Sequence, residues 1–277
     1  MESMIAKALN LAHRPVAVVW TDEKPEGAIV FEKGRWGCVM ASFAAVAERG
    51  RTAAFDRETC GCQGGGVGLG FGNCYESFEG GVEGFCGFLS CGNDCSEAGR
   101  ERSAKAEKNL RARQLEHFKH GEGYRKDPAA VVRFIAALPI REIPTRFVVF
   151  KPLEEVKEGE RALGVVFLAN PDQLSALTIL ANYEDGESEN VILPHAAGCQ
   201  SIGIYLYREA EDARQRAVAG LNDLSARKTM RRLGKDLMTF AVPMKRLAQM
   251  ESAVPGSFVE RDAWKDLQGQ AGGAAGG

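Results

Sequence analysis

Along the chain, short apolar blocks alternate with stretches that carry helical spacing and polar turns. Residues 2–12 read as a short helix, and Arg14-Pro15 leads into Val16, Ala17, Val18, Val19 and Trp20, a continuous apolar run suited to a buried strand. A brief strand over 28–31 follows a Lys-Pro-Glu-Gly turn. The segment 38–48 is helical in composition and stops at Gly50, and 52–55 reads as another strand. Further on, a long charged helix is expected over 98–120 and a second helix over 128–138. Strands are expected over 147–150, 163–168, 191–194, 217–221 and 238–242. Asn170-Pro171-Asp172 carries the start signal for a helix over 173–182.

This alternation predicts an α/β fold, with α+β as the alternative arrangement. The expected organisation is one domain over 1–267, with halves at 1–127 and 128–267, a cysteine- and glycine-rich insertion at 60–95, and a flexible tail at 268–277. Within 60–72 seven of thirteen residues are glycine, which predicts a loop built to approach a ligand and no regular helix.

Composition narrows the function classes. Thirty-five Lys and Arg against 37 Asp and Glu leave a formal net charge of -2, so no global field draws the chain to nucleic acid or anionic lipid. No apolar run reaches the length of a spanning helix, and the first residues lack the order of a secretory signal. A cytoplasmic protein is therefore expected, without nucleic-acid or membrane partners. Its partner would be a small-molecule substrate or a redox protein. The oligomeric state is open, a homodimer being one option.

A reducing compartment changes the meaning of the eight cysteines, because clustered thiols there bind metal or do redox chemistry more often than they pair. They fall into two sets, Cys38, Cys60, Cys62 and Cys199 against Cys74, Cys86, Cys91 and Cys95. Gly61-Cys62-Gln63 and Gly198-Cys199-Gln200 each follow a strand, a helix and a return segment. The spacing from helix start to cysteine is also similar, 24 residues from Cys38 to Cys62 and 26 from Gln173 to Cys199. This predicts two pseudo-symmetric strand-helix halves packed around a cysteine-lined site.

The compact set has the spacing C-x11-C-x4-C-x3-C, which is neither the knuckle of a zinc ribbon nor the run of a bacterial ferredoxin. Soft thiolates amid glycines favour iron-sulfur clusters, with zinc as the alternative metal, and the bland reading of each cysteine is a small buried hydrophobe. His195, four residues before Cys199, shares a face with it only if that stretch is helical; the weightier reading is a polar residue ahead of a helix. His117 and His120 share a helix face whose charged surroundings indicate solvated surface. No phosphate loop, dinucleotide fingerprint, G-x-S-x-G or H-E-x-x-H occurs.

The Arg-Pro-Val-Ala-Val opening, a cysteine at the next helix start, Cys62-Gln-Gly64-Gly65 with Leu69-Gly70 after it, and the later Gly-Cys199 together resemble the prokaryotic family called domain of unknown function 169. The likeness runs over about 14–247. It implies no established reaction, and family members are common in anaerobic bacteria and archaea. The family-matching positions are Cys38, Cys62, Gly64, Gly65, Leu69, Gly70 and Cys199, and the set from Cys74 to Cys95 looks like an addition of this chain.

Three functions follow as expectations. The first is an iron-sulfur electron-transfer protein holding two [4Fe-4S] clusters or one larger cluster on all eight cysteines, with Gly64 and Gly65 beside them. The second is an iron-sulfur oxidoreductase reducing a small molecule, its catalytic residues unassigned. The third is a metal-binding or thiol-based sensor or binding module without turnover.

Overall fold

The computed structural model describes residues 2–269. In chain order the elements are α1 (Met4–Ala8), β1 (Val16–Thr21), α2 (Val39–Arg49), β2 (Ala53–Phe55) and α3 (Gln63–Leu69). Next come α4 (Gly81–Leu89), α5 (Glu97–Ala106), α6 (Ala112–His120) and α7 (Pro128–Ala137). The chain continues through β3 (Phe147–Pro152), β4 (Arg161–Ala169), α8 (Pro171–Asn182), β5 (Val191–Ile192), α9 (Gly198–Gln200) and α10 (Leu206–Glu211). It ends with β6 (Ala217–Gly220), α11 (Leu224–Met230), β7 (Met238–Pro243), α12 (Met244–Ser252) and α13 (Asp262–Leu267). Two compact units result: one gathers the chain up to Gly70 with the chain from Glu142 onward, and the second is the stretch between Phe71 and Arg141. The expected tail lies outside the described residues from position 270 on.

The first unit is a mixed α/β structure on a seven-stranded sheet of order β2-β3-β1-β4-β7-β6-β5. Neighbours pair antiparallel except β5 and β6, which run parallel. Both faces of the sheet are covered, which is why its strands read as unbroken apolar runs rather than as alternation. Ala17 and Val19 of β1 face a core shared with Val165, Phe167, Leu177, Leu180, Phe240 and Met250. On the other face Phe150 meets Phe43 of α2 and Phe55 edge-on, and Trp20 meets Tyr207 of α10. Each such fully buried aromatic contributes about 1.5–3 kcal/mol by leaving water.

Start signals read from sequence are realised as caps. Asn170 accepts the Gln173 N–H at 2.9 Å while the Gln173 side chain accepts the Asn170 N–H at 3.0 Å, with Pro171 in the first turn of α8. The expected strand over 28–31 reduces to one bridge between Ile29 and Ala53.

The second unit is helical around an aromatic cluster. Tyr75 stacks on Phe85 at 3.9 Å between centroids, and Phe78 lies against Phe85, Phe88 and Phe118. The single helix expected over 98–120 is two, α5 and α6, because the chain leaves helical geometry at Arg111. Asn109 donates to Glu79 in the break, and the turn lets Phe118 drop into the aromatic core.

Two expectations are corrected. The glycine-rich run is not a loop: Gln63–Leu69 is α3, and Gly65 and Gly68 within it serve close packing. A side chain on Gly68 would stand 2.8 Å from the Cys199 carbonyl carbon. Nor are the halves copies of each other. Residues 1–127 supply only β1 and β2, whereas 128–267 supply five strands, and β2 and β5 occupy opposite edges with antiparallel and parallel partners.

Candidate functional site

In the first unit four helix starts meet. Cys38 and Cys62 occupy the extended positions that precede α2 and α3. Gly198 opens α9, and Asp223 caps α11 by accepting the Ala226 N–H at 2.7 Å. Asp223 reaches a second helix too, accepting the Gly198 N–H at 2.6 Å. Glycines allow this crowding. A Cβ on Gly65 would lie 3.0 Å from Val39 at the start of α2, and one on Gly198 would lie 2.9 Å from the Ala226 side chain.

Two departures from regular geometry sit beside these starts. Ser201–Tyr205 forms a π-helical turn between α9 and α10. There Gly203 lies so close to the carbonyl of Gly68 that no side chain fits. Leu221, buried and not glycine, has φ +68° just before Asn222 and Asp223. Left-handed backbone at a bulky residue costs on the order of 1–3 kcal/mol, and such strain gathers at functional sites.

The thiols differ in access. Cys199 is 8% exposed and donates to the Gly64 carbonyl at 3.3 Å. Burial pushes it well above the ordinary thiol value, and ionisation of Cys62, Asp223, Cys38 or Cys60 nearby would push it further. Cys62 is partly exposed. Burial raises it as well, opposed by the N–H groups of Gly65, at 3.3 Å, and Gly64 and by the side chain of Trp36. That tryptophan is 66% exposed. Cys60 turns its sulfur toward the Cys62 carbonyl at 3.7 Å. His195 is exposed and precedes the helix, so it shares no helix face with Cys199; it acts electrostatically on Asp223.

In the second unit Cys74 turns toward the Phe71 carbonyl at 3.5 Å, and Cys86 is buried in α4. Cys91 and Cys95 are exposed, with sulfurs 2.6 Å apart. His117 and His120 face Glu122 and Glu116 on the surface of α6.

This geometry overturns the metal expectations. Among the described residues no group of three or more His, Cys, Asp or Glu side chains is arranged to hold a metal ion. Cys60, Cys62, Cys74 and Cys199 each turn to a backbone group instead of a shared centre, and in the second unit only two sulfurs converge. The [4Fe-4S] clusters, the larger cluster and the zinc alternative are therefore withdrawn, together with the electron-transfer and oxidoreductase functions built on them. Sequence reasoning missed Trp36, Leu221 and Asp223. The Asn222-Asp223 pair ahead of a helical stretch was a usable cap signal for Asp223, whereas no local pattern marks Trp36 or the strained Leu221.

Fold and site together define a mixed α/β protein in which Cys38, Cys62 and Cys199 stand at helix starts of the unit built on the mostly antiparallel sheet. The chain belongs to the DUF169 family, described as uncharacterised ArCR, which it matches over residues 4–253. No curated protein matches it, and no solved structure does. No helix among the described residues is long and apolar enough to cross a membrane.

Proposed function

We propose that this protein binds a small planar molecule at the start of α3, on the exposed Trp36 ring beside Cys62 and Gly64. The supporting observation is a partly exposed cysteine whose side chain interacts with a mostly exposed tryptophan. A tryptophan face stacks on flat groups, and a polarizable sulfur packs well against them. Gly64 keeps the surface open, since a Cβ there would meet nothing within 4 Å.

Cys62 acts here as a contact and not as an activated nucleophile, because burial holds its thiol protonated near neutral pH. Cys60 turns toward the Cys62 carbonyl, and Cys199 holds the first turn of α3 by its bond to Gly64.

The test is site-resolved alkylation of the folded chain with N-phenylmaleimide and, in parallel, N-ethylmaleimide. Cys62 should react ahead of Cys199 and show a preference for the phenyl reagent, beyond that of an exposed thiol, that Trp36→Ala abolishes. Gly64→Leu should slow both reagents at Cys62. Equal inertness of Cys62 and Cys199, or a phenyl preference indifferent to Trp36, would sink the reading.

A further inference from the structure

The second unit holds a pair of thiols prepared for chemistry of their own. Cys91 and Cys95 bracket Gly92-Asn93-Asp94, and what lies between them is firmly held. Asn93 is 1% exposed and donates to the carbonyls of Gly84 and Phe118 at 3.0 and 3.1 Å, while accepting from Arg102 at 3.1 Å. Gly92 takes φ +87° and lies against the carbonyl of Lys119, leaving no room for a side chain. Ser90, also 1% exposed, donates to the Cys86 carbonyl at 2.6 Å.

With the intervening residues anchored, both thiols face solvent at a fixed spacing. Their sulfurs are 2.6 Å apart, against about 2.05 Å in a formed disulfide, so closing the bond needs only a small displacement. Little freedom remains to be lost, which favours ring closure over reaction with a second external molecule. Cys95 also lines a cavity of about 360 Å³ with Cys86, Val82, Pro128 and Val132, so a bond at Cys95 forms at the cavity wall.

We infer that Cys91 and Cys95 are a modification site that closes to a reversible disulfide by exchange with a small-molecule disulfide. One thiol loses its proton and attacks a sulfur of the small disulfide, forming a mixed disulfide and releasing one small thiol. The neighbouring thiol loses its proton and attacks the protein-bound sulfur, forming the Cys91–Cys95 bond and expelling the second small thiol. Two protein thiols are oxidised, one small disulfide is reduced to two thiols, and the two protons pass to the leaving sulfurs. An exposed bond of this kind is readily reduced again, whereas Cys86, buried and pushed up chiefly by that burial, stays out of the exchange.

The experiment uses the full chain, reduced and then incubated with glutathione disulfide. Remaining thiols are blocked with iodoacetamide, the protein is reduced, and newly released thiols are labelled with N-ethylmaleimide and located by mass spectrometry. The expected result is label at Cys91 and Cys95 in equal amount, an oxidised chain lighter by two hydrogens with no glutathione retained, and full reversal by dithiothreitol. Cys91→Ser and Cys95→Ser, both at exposed positions that leave the fold intact, should each retain one glutathione on the surviving partner. Lasting glutathione on the wild-type chain, or label at the pair no higher than at Cys86, would overturn the inference.

Discussion

The two units use the same residue in opposite ways. In the first unit Cys199 is buried under a glycine helix with its thiol held neutral, and Cys62 is only partly exposed. In the second, Cys91 and Cys95 stand on the surface while Gly92 and Asn93 between them are buried. A sequence that places glycine beside cysteine in both regions yields a packed helix in one and an exposed dithiol in the other. Glycine next to cysteine therefore does not by itself indicate a metal loop. What decides is whether the glycine admits another backbone, as at Gly68, or fixes a turn, as at Gly92.

The sharpest way to break this contrast is to compare thiol reactivities in the native protein. Cys91 and Cys95 should be alkylated roughly a thousandfold faster than Cys199, whose exposure requires an opening of about 4 kcal/mol or more. Measurement is by pulsed iodoacetamide labelling without denaturant, and comparable rates would erase the distinction between the units. Next in size is the glycine helix itself. Gly68→Ala and Gly203→Ala each force a methyl into opposing backbone and should each cost about 3 kcal/mol by urea denaturation. A similar loss, about 2–3 kcal/mol, is expected in the second unit from Asn93→Ala, which removes the buried donor that ties the carbonyls of Gly84 and Phe118 together and the acceptor of Arg102. That variant should also slow Cys91–Cys95 closure, since the anchored spacing is lost.

Alkaline pH sharpens the comparison further. Burial raises Cys199 and Cys62 above 9.0, so the folded state holds protons that the unfolded chain releases. The resulting stabilisation is complete below pH 9 and is lost as pH climbs through the folded-state values. It declines by up to about 1.4 kcal/mol per pH unit for each such group. Stability followed by denaturant titration between pH 8 and pH 11 should fall less steeply in Cys199→Ala than in the wild type. An unchanged slope would mean that Cys199 does not titrate differently on folding.

Much of the secondary structure was legible because it rests on local chemistry. The sheet strands are near-continuous apolar runs, and α8 begins at a capping box visible as Asn170-Pro-Asp-Gln173. The strand order was not legible, since pairing of β1 with both β3 and β4 depends on contacts distant in sequence. Of the site, the two Gly-Cys-Gln segments pointed to a cysteine-lined centre between symmetric halves, and the described residues show neither the symmetry nor a shared centre, because Cys62 and Cys199 each turn to a backbone group. The seven glycines of 60–72 misled because intrinsic propensity penalises glycine in a helix. Here close packing of Gly65 and Gly68 against Val39 and Cys199 outweighs that penalty.

The smallest expected effect isolates that last point. Gly64 lies in the same helix as Gly65 and Gly68, but a Cβ added there meets nothing within 4 Å, and its φ is not positive. Its glycine character therefore contributes no packing and carries only the entropic penalty of glycine in a helix. Gly64→Ala should stabilise the protein by about 0.5–1 kcal/mol, seen as a higher urea midpoint at unchanged slope. A loss instead would show that the open side of α3 is more constrained than its surroundings indicate. Paired with Gly68→Ala, the change in sign between two glycines one helical turn apart separates the later turn of α3, which packs against backbone, from its more open first turn.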